Sequence, residues 1–138
     1  MLWRRAVGVD VPLMARMNAE LIRDEGHSNP MGLVELEERM RRWLEGEYTG
    51  IVFERAAEPV AYALFRDNEG RGVLLRHFFV ARGWRRQGIG RQAFALLRGD
   101  ILAPGTRVVV EVLAGNERAL GFWRAVGFSD YAVTLERT

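Results

Sequence analysis

This chain of 138 residues has no cysteine and no lysine, and it holds only two serines, Ser28 and Ser129. Without cysteine there is no disulfide framework, and no acyl-cysteine intermediate can form. Without lysine there is no nucleotide P-loop, because that loop needs a lysine after its second glycine. Neither serine stands in a G-x-S-x-G elbow, so that form of serine nucleophile is absent too. No apolar stretch approaches twenty residues, and the amino terminus lacks a signal-peptide pattern. The expectation is a soluble, cytoplasmic protein with no membrane partner. No internal repeat, linker or low-complexity segment interrupts it. Residues 1–138 read as one domain, with 49% apolar and 28% charged residues around a single core.

Acidic residues are missing from one stretch. Arg71 to Gly99 holds seven arginines and no Asp or Glu, whereas the rest of the chain carries a net of −5. The overall charge of +2 therefore hides a strongly positive segment. That every basic residue is arginine fits a GC-rich genome. The basic segment is too short to argue for nucleic acid, and its arginine forks suit phosphate oxygens.

Within this segment lies Arg85-Arg86-Gln87-Gly88-Ile89-Gly90, after the apolar run Val73–Val80. Two glycines one residue apart allow a tight turn and close backbone approach to a ligand. Ile89, Ala93, Leu96 and Leu97 then give helical spacing. A glycine turn that opens a helix presents unpaired N–H groups and the positive end of the helix dipole to an anion. A dinucleotide fingerprint competes, since Gly88 to Ala93 fits G-x-G-x-x-A and Glu111 lies about twenty residues on. Against it, Ala81–Gln87 separates strand from turn, and too few residues follow Gly90 to complete a doubly wound sheet.

The remaining elements follow from periodicity and turn chemistry. Leu2–Val7 reads as a strand. Val11–Asp24 reads as a helix with Asp10 as N-cap, Pro12 in the first turn and a Leu13, Met17, Leu21 stripe. Leu33–Leu44 is a second helix with Leu33, Leu36, Met40 and Trp43 inward, preceded by Asn29-Pro30 as a helix start. Tyr48–Arg55, Pro59–Arg66, Gly72–Val80 and Thr106–Val112 read as strands. Asn116 caps a last helix, and Ser129–Glu136 is expected to close the sheet. The order β-α-α-β-β-β-α-β-α-β describes an α/β (α+β) fold, a mixed, mostly antiparallel twisted sheet flanked by helices.

Arg85-x-x-Gly88-x-Gly90, after Val80 and Trp84, resembles the pyrophosphate loop of the GNAT superfamily of acyl-CoA N-acyltransferases. A second segment, Asn116-Glu117-Arg118-Ala119-Leu120-Gly121-Phe122-Trp123-Arg124-Ala125-Val126-Gly127-Phe128, is similar to that family's final helix. Its pattern runs Asn, two residues, Ala, two residues, an aromatic pair and a Gly-Phe ending. The two segments occur in the family's order, and the element order agrees over nearly the whole chain. The resemblance implies acetyl-CoA as co-substrate, with no metal. It places the pantetheine arm against the backbone around Phe78 and Val80, and the pyrophosphate on Arg85, Arg86, Gln87, Gly88, Ile89, Gly90 and Arg91. Asn116 and Trp123 fall on the cofactor side. Asn116 serves equally as a helix cap, and the spacing of Ala119, Phe122, Trp123 and Val126 equally marks packing.

Two family residues are replaced. Many members carry a glutamate base where this chain has Arg76, and a tyrosine acid where it has Trp123, whose indole cannot donate a proton in that way. An alkyl ammonium of pKa ~10.4 must still lose a proton before it attacks a thioester. The candidate bases are Glu111, His77 and His27. Glu111 is a lone carboxylate in the apolar run Val108–Leu113, where burial would raise its pKa and where an ion pair, for instance with Arg76, is the alternative. Strand alternation sets His77 on the face opposite Arg76 unless a bulge intervenes. The segment Asp24–Gly32 is expected to line the acceptor site, with Asp24 and Glu25 for a cationic amine and His27 for its proton. Arg76 suits an acceptor carboxylate.

The expected function is acetyl transfer from acetyl-CoA to a primary amine, on an amino-acid-like small molecule or a peptide, by direct attack in a ternary complex. The competing expectation is a non-catalytic CoA-binding regulatory module. The chain is expected to act as a monomer or homodimer.

Overall fold

The computed structural model describes residues 1–26 and 29–138. His27 and Ser28, and with them the expected role of His27, lie outside the described residues. The elements are β1 (Leu2–Arg5), α1 (Val11–Asp24), α2 (Leu33–Glu45), β2 (Thr49–Arg55), β3 (Glu58–Asp67), β4 (Val73–Val80), α3 (Ile89–Leu96), β5 (Val108–Val109) and α4 (Glu117–Ala125). Among the described residues the strands form one sheet in the order β1-β2-β3-β4-β5. The first four are antiparallel, and β5 joins β4 in parallel. This is the mixed, mostly antiparallel α+β fold expected from the sequence.

Both faces of the central strands are apolar because helices cover both. Ile51, Phe53, Ala61, Ala63 and Phe65 point to the face that receives Ile89, Ala93 and Phe94 of α3 and Trp123 of α4. Val52, Tyr62 and Leu64 alternate with them and meet Val11, Met14 and Met17 of α1 and Met40 of α2. The β2–β3 hairpin closes at Ala56 and Ala57, both with positive φ (52° and 63°), as a two-residue turn matching strand twist requires.

The boundaries differ from the sequence reading in ways that have physical causes. β1 ends at Arg5, and a short 3-10 turn, Gly8–Asp10, precedes α1. Asp10 does not cap α1 with its side chain. It is buried instead, accepting the Val7 N–H at 2.8 Å and gripping both terminal nitrogens of Arg4 at 2.8 Å. The buried face of α1 centres on Met14 and Met17, with Leu13 and Leu21 only partly covered. In α2, Leu36 and Met40 are buried but Leu33 is exposed. That helix starts after Gly32, not at Asn29-Pro30, and Asn29 accepts the Met31 N–H in the approach.

Two departures bear on function. Leu64 pairs with His77 but Phe65 pairs with Leu75, so Arg76 is the extra residue of a β-bulge. The bulge resets the alternation and puts Arg76 and His77 on the same, α2-facing side. Both contact Trp43, the Arg76 guanidinium carbon at 4.8 Å and the His77 ring at 5.4 Å between centroids. Beyond it β4 and the chain after β5 diverge, so β5 is two residues long rather than seven. Ser129–Glu136 does not close the sheet: residues 128–138 form no strand, and 129–138 are exposed.

Candidate active site

The divergence opens a groove of about 470 Å³ between Leu75, Arg76 and Phe78–Val80 on one wall and Val110–Val112 on the other. Pairing of β4 with β5 stops at Leu74 and Val109, so the strand edges beyond that point face the groove instead of each other. Phe122 and Trp123 of α4 also line it. Phe78 stacks on Phe122 (6.0 Å, 25°) and meets Trp123 edge-on at 5.3 Å, so its ring is packed into the aromatic cluster at the groove wall.

The glycine turn sits at this groove. After β4 the chain makes a short 3-10 turn, Arg82–Trp84, takes a positive φ at Arg86 (63°), and enters α3 through Gly88 at φ 74°. The two glycines serve different needs. Gly88 has open space around it but a left-handed backbone that a side chain would strain. Gly90 has ordinary dihedral sign but little room, since a Cβ there would lie 3.0 Å from Phe122 Cε1 and the ring would have to give way. The first N–H groups of α3 have no intrahelical acceptor and carry the positive end of its dipole, which suits a pyrophosphate. The residues present therefore fit the phosphate arm of acetyl-CoA.

The arginines divide their work. Arg85 is engaged within the protein: its Nε donates to the Val80 carbonyl at 3.0 Å, its Nη2 to Asp24 at 2.6 Å, and its guanidinium carbon lies 5.1 Å from the centre of the Phe79 ring. Arg82 donates to the other Asp24 oxygen at 2.8 Å. Burial pushes the Asp24 carboxyl up, but the hydrogen bonds and charges of Arg85 and Arg82 outweigh it and hold Asp24 below the ordinary carboxylate value. Arg86 and Arg91 are exposed at the groove.

Of the cofactor residues expected from the sequence, all but Gln87 line the groove. Asn116 also caps α4, accepting the Ala119 N–H at 3.2 Å, and Trp123 is buried among Phe78, Phe94, Phe122 and Phe128. Asp24, Glu25, Arg76 and Glu111 line the same groove. Glu111 is exposed there rather than buried, and its side chain makes no ion pair among the described residues, with Arg76 or otherwise. The burial expected for it is absent because the chain beyond Val109 has left the sheet.

His77 is not among the groove residues. Its Nδ1 shares a 3.0 Å hydrogen bond with Tyr62 Oη, and burial, with the charges of Arg39 and Arg76, pushes its pKa down to about 3. It is a neutral packing residue at physiological pH. The same environment holds a polar cluster that the sequence reading missed. Arg39 places its guanidinium carbon 4.4 Å from the centre of the Trp43 ring and donates to Asn18 Oδ1 at 3.0 Å. Arg39 Nε and Asn18 Nδ2 are buried without a partner among the described residues. Burial and the nearby Arg76 charge lower the Arg39 pKa. Arg39 lies between Leu36 and Met40 on the inward side of α2 and Asn18 follows Met17 on α1; that interruption of two apolar stripes was the available signal. Arg118, beside Asn116, also lines the groove and was missed.

A sheet split at its β4–β5 seam, with a phosphate turn at the split, defines an acyl-CoA-binding transferase. The sequence profile of the acetyltransferase (GNAT) family matches residues 15–128, and the chain belongs to that family. It is a GNAT acetyltransferase, and the family uses acetyl-CoA. Solved structures agree on the fold. A possible acetyltransferase of Clostridium difficile is 15% identical, with TM-score 0.77 over 99% of this chain and 95% of that one. A mutant of a Bacillus halodurans protein is 20% identical, with TM-score 0.79 over 100% and 99%. The aminoglycoside N-acetyltransferase AAC(6')-Iy in complex with CoA is 14% identical, with TM-score 0.75 over 99% and 93%. A search of curated proteins found no match. Among the described residues no helix is long and apolar enough to cross a membrane, and no cluster of His, Cys, Asp and Glu could hold a metal.

Proposed function

We propose that this chain acetylates the primary amine of a small molecule that also bears a carboxylate, by direct attack of the amine on acetyl-CoA in a ternary complex. The observation that carries this reading is that one groove is lined by the phosphate turn, by Arg76 and by Glu111. The Arg76 guanidinium donates to Tyr48 Oη at 3.3 Å and keeps further donors for a carboxylate. Arg39 adds positive charge behind it.

In the reaction a C–N bond forms at the thioester carbonyl and the C–S bond breaks. Glu111 accepts the ammonium proton, directly or through one water; its exposure in the groove permits either path. Among the described residues no tyrosine lines the groove. The departing thiolate therefore takes its proton from water or from the proton the amine releases. Glu25 supplies a second carboxylate at the acceptor end.

The test is thiol release from acetyl-CoA across a panel of amines, read with a thiol reagent to which a protein without cysteine contributes no signal. Turnover of carboxylate-bearing amines above their neutral analogues supports the reading. Saturable CoA binding with no amine-dependent release across the panel overturns it in favour of a regulatory module. A Glu111→Gln variant with unchanged rate and pH profile removes Glu111 as the base.

A further inference from the structure

Past Arg76, the α2-facing side of the sheet carries a strip of cations and rings that the proposed reaction leaves unused. Tyr48, just before β2, accepts from Arg66 Nε at 3.2 Å and from Arg76 Nη1 at 3.3 Å. Two guanidiniums on one neutral oxygen repel each other, and the tyrosine cancels neither charge. A hydroxyl that accepts twice has its own hydrogen left to give. Among the described residues no hydrogen bond takes up that hydrogen. The Trp43 ring lies 5.2 Å from the Tyr48 ring and carries the guanidinium carbons of Arg39 and Arg76 at 4.4 and 4.8 Å. The strip therefore presents donors and positive charge.

The chain does not neutralise this strip itself. Among the described residues no ion pair involves Arg39, Arg66 or Arg76. The Tyr48 hydrogen bond, and more weakly the charges of Glu47 and Glu69, raise the Arg66 pKa, but neither glutamate reaches ion-pair distance. Arg66 is held in place by Tyr48 through Nε and by the Asp67 carbonyl through Nη1 at 3.0 Å, which leaves Nη2 for a ligand. Arg76 lines the groove, so a molecule that reaches it meets the Tyr48 hydroxyl and Arg66 next. We propose that the acceptor amine carries two acidic groups, and that Arg66 and the Tyr48 hydroxyl hold the second beside the carboxylate on Arg76. This rests on the reading of Arg76 as the contact for an acceptor carboxylate, and it narrows that acceptor to a diacid. Two fixed guanidiniums present two positive charges, which one carboxylate half neutralises and a second completes. The planar forks suit paired carboxylate oxygens, and the tyrosine hydrogen adds one more bond.

The thiol-release assay, run with aspartate and glutamate against asparagine and glutamine as acceptors, tests this. The expected kcat/KM is about 10- to 100-fold higher for each diacid than for its mono-amide, the worth of one charge-assisted contact. Arg66→Gln and Tyr48→Phe should each bring that ratio toward one. A merely structural role would lower both members of a pair and keep the ratio, which overturns the assignment. Equal rates for diacid and mono-amide overturn the second contact and leave the carboxylate on Arg76 standing. Turnover of none of the four counts against the carboxylate-bearing acceptor itself, and binding then decides the subsite. Succinate and glutarate should raise the thermal midpoint of the protein where butyrate at equal ionic strength does not, and Arg66→Gln should lose the rise. Dicarboxylates that stabilise no more than butyrate overturn the proposal.

Discussion

Asp24 and Arg85 stand 61 residues apart in sequence and meet at 2.6 Å, joining the end of α1 to the turn that opens α3. Arg82 reaches the second oxygen of the same carboxylate. The clamp holds Arg85 in place as a donor to the Val80 carbonyl, so the acidic residue shapes the phosphate turn from behind. Both oxygens of the carboxylate are engaged in this clamp, although Asp24 also lines the groove where its sequence position suggested a contact with the acceptor amine.

Replacing Asp24 with Asn should raise KM for acetyl-CoA with little change in kcat. The partly exposed ion pairs are worth about 1 kcal/mol together, or about fivefold. Steady-state rates at saturating acceptor check this, and an unchanged KM would show that the turn holds its shape unaided. The Asp24 pKa is depressed, so the clamp is intact above the ordinary carboxylate range and opens only as acid protonates the group.

What the sequence made legible were features set by local chemistry. The glycine pair, the Asn116 cap and the apolar periodicities of α1, α2 and α4 are each encoded within a few residues. The bulge at Arg76 is not, because it arises from how β4 registers against β3, and it moved Arg76 and His77 onto one face against strict alternation. The end of β5 after Val109 is likewise a matter of pairing between strands, and Glu111 beyond it is exposed. Arg39 was passed over because a charged residue within an apolar helix stripe reads as a surface position until Trp43 and Asn18 are seen to receive it.

Asp10 should give the fold an acid-sensitive anchor. Its carboxyl is held below the ordinary value chiefly by the Arg4 hydrogen bonds, against burial, with help from the Val7 N–H. A depressed carboxylate pKa contributes stability that is full above the unfolded value of about 3.9 and is lost as pH falls through the folded one. Asp10→Asn should cost about 2 kcal/mol at neutral pH, moderated because the Arg4 side chain is 40% exposed and can turn to water. The gap in thermal midpoint between the two proteins should narrow below about pH 4. A gap independent of pH would assign the loss to packing instead.

Gly90 and Phe122 should behave as a coupled pair. A Gly90→Ala Cβ falls 3.0 Å from Phe122 Cε1 and 3.3 Å from Cζ, so the ring must shift against Phe78, which it stacks upon. Overpacking of this kind costs about 1–2 kcal/mol, a fall in midpoint of about 3–6 °C. Phe122→Leu alone should also destabilise by opening space in the aromatic cluster. The double variant should lose less than the sum of the two, since the smaller side chain accommodates the added methyl. Additive losses would separate the two residues. A left-handed Gly88 predicts the opposite: Gly88→Ala is strained by its φ of 74° whatever stands at 122.

Arg76 should set the preference for the acceptor. In the bulge its guanidinium rests against Trp43 and Tyr48, with Arg39 close enough to raise the local positive potential, and it lines the groove. For an amine carrying a carboxylate, Arg76→Gln should raise acceptor KM by about 10- to 100-fold, the loss of a charge-assisted contact of about 1.5–3 kcal/mol. For the corresponding carboxamide the same substitution should change KM little, because a neutral amide offers the guanidinium no charge to pair with. KM for acetyl-CoA should hold, since Arg85 and the α3 N–H groups are untouched. Arg76→Lys, which keeps the charge but not the planar fork, should fall between the two. Equal losses on carboxylate and carboxamide would mean that Arg76 acts by supporting Trp43 and Tyr48 and does not meet the acceptor.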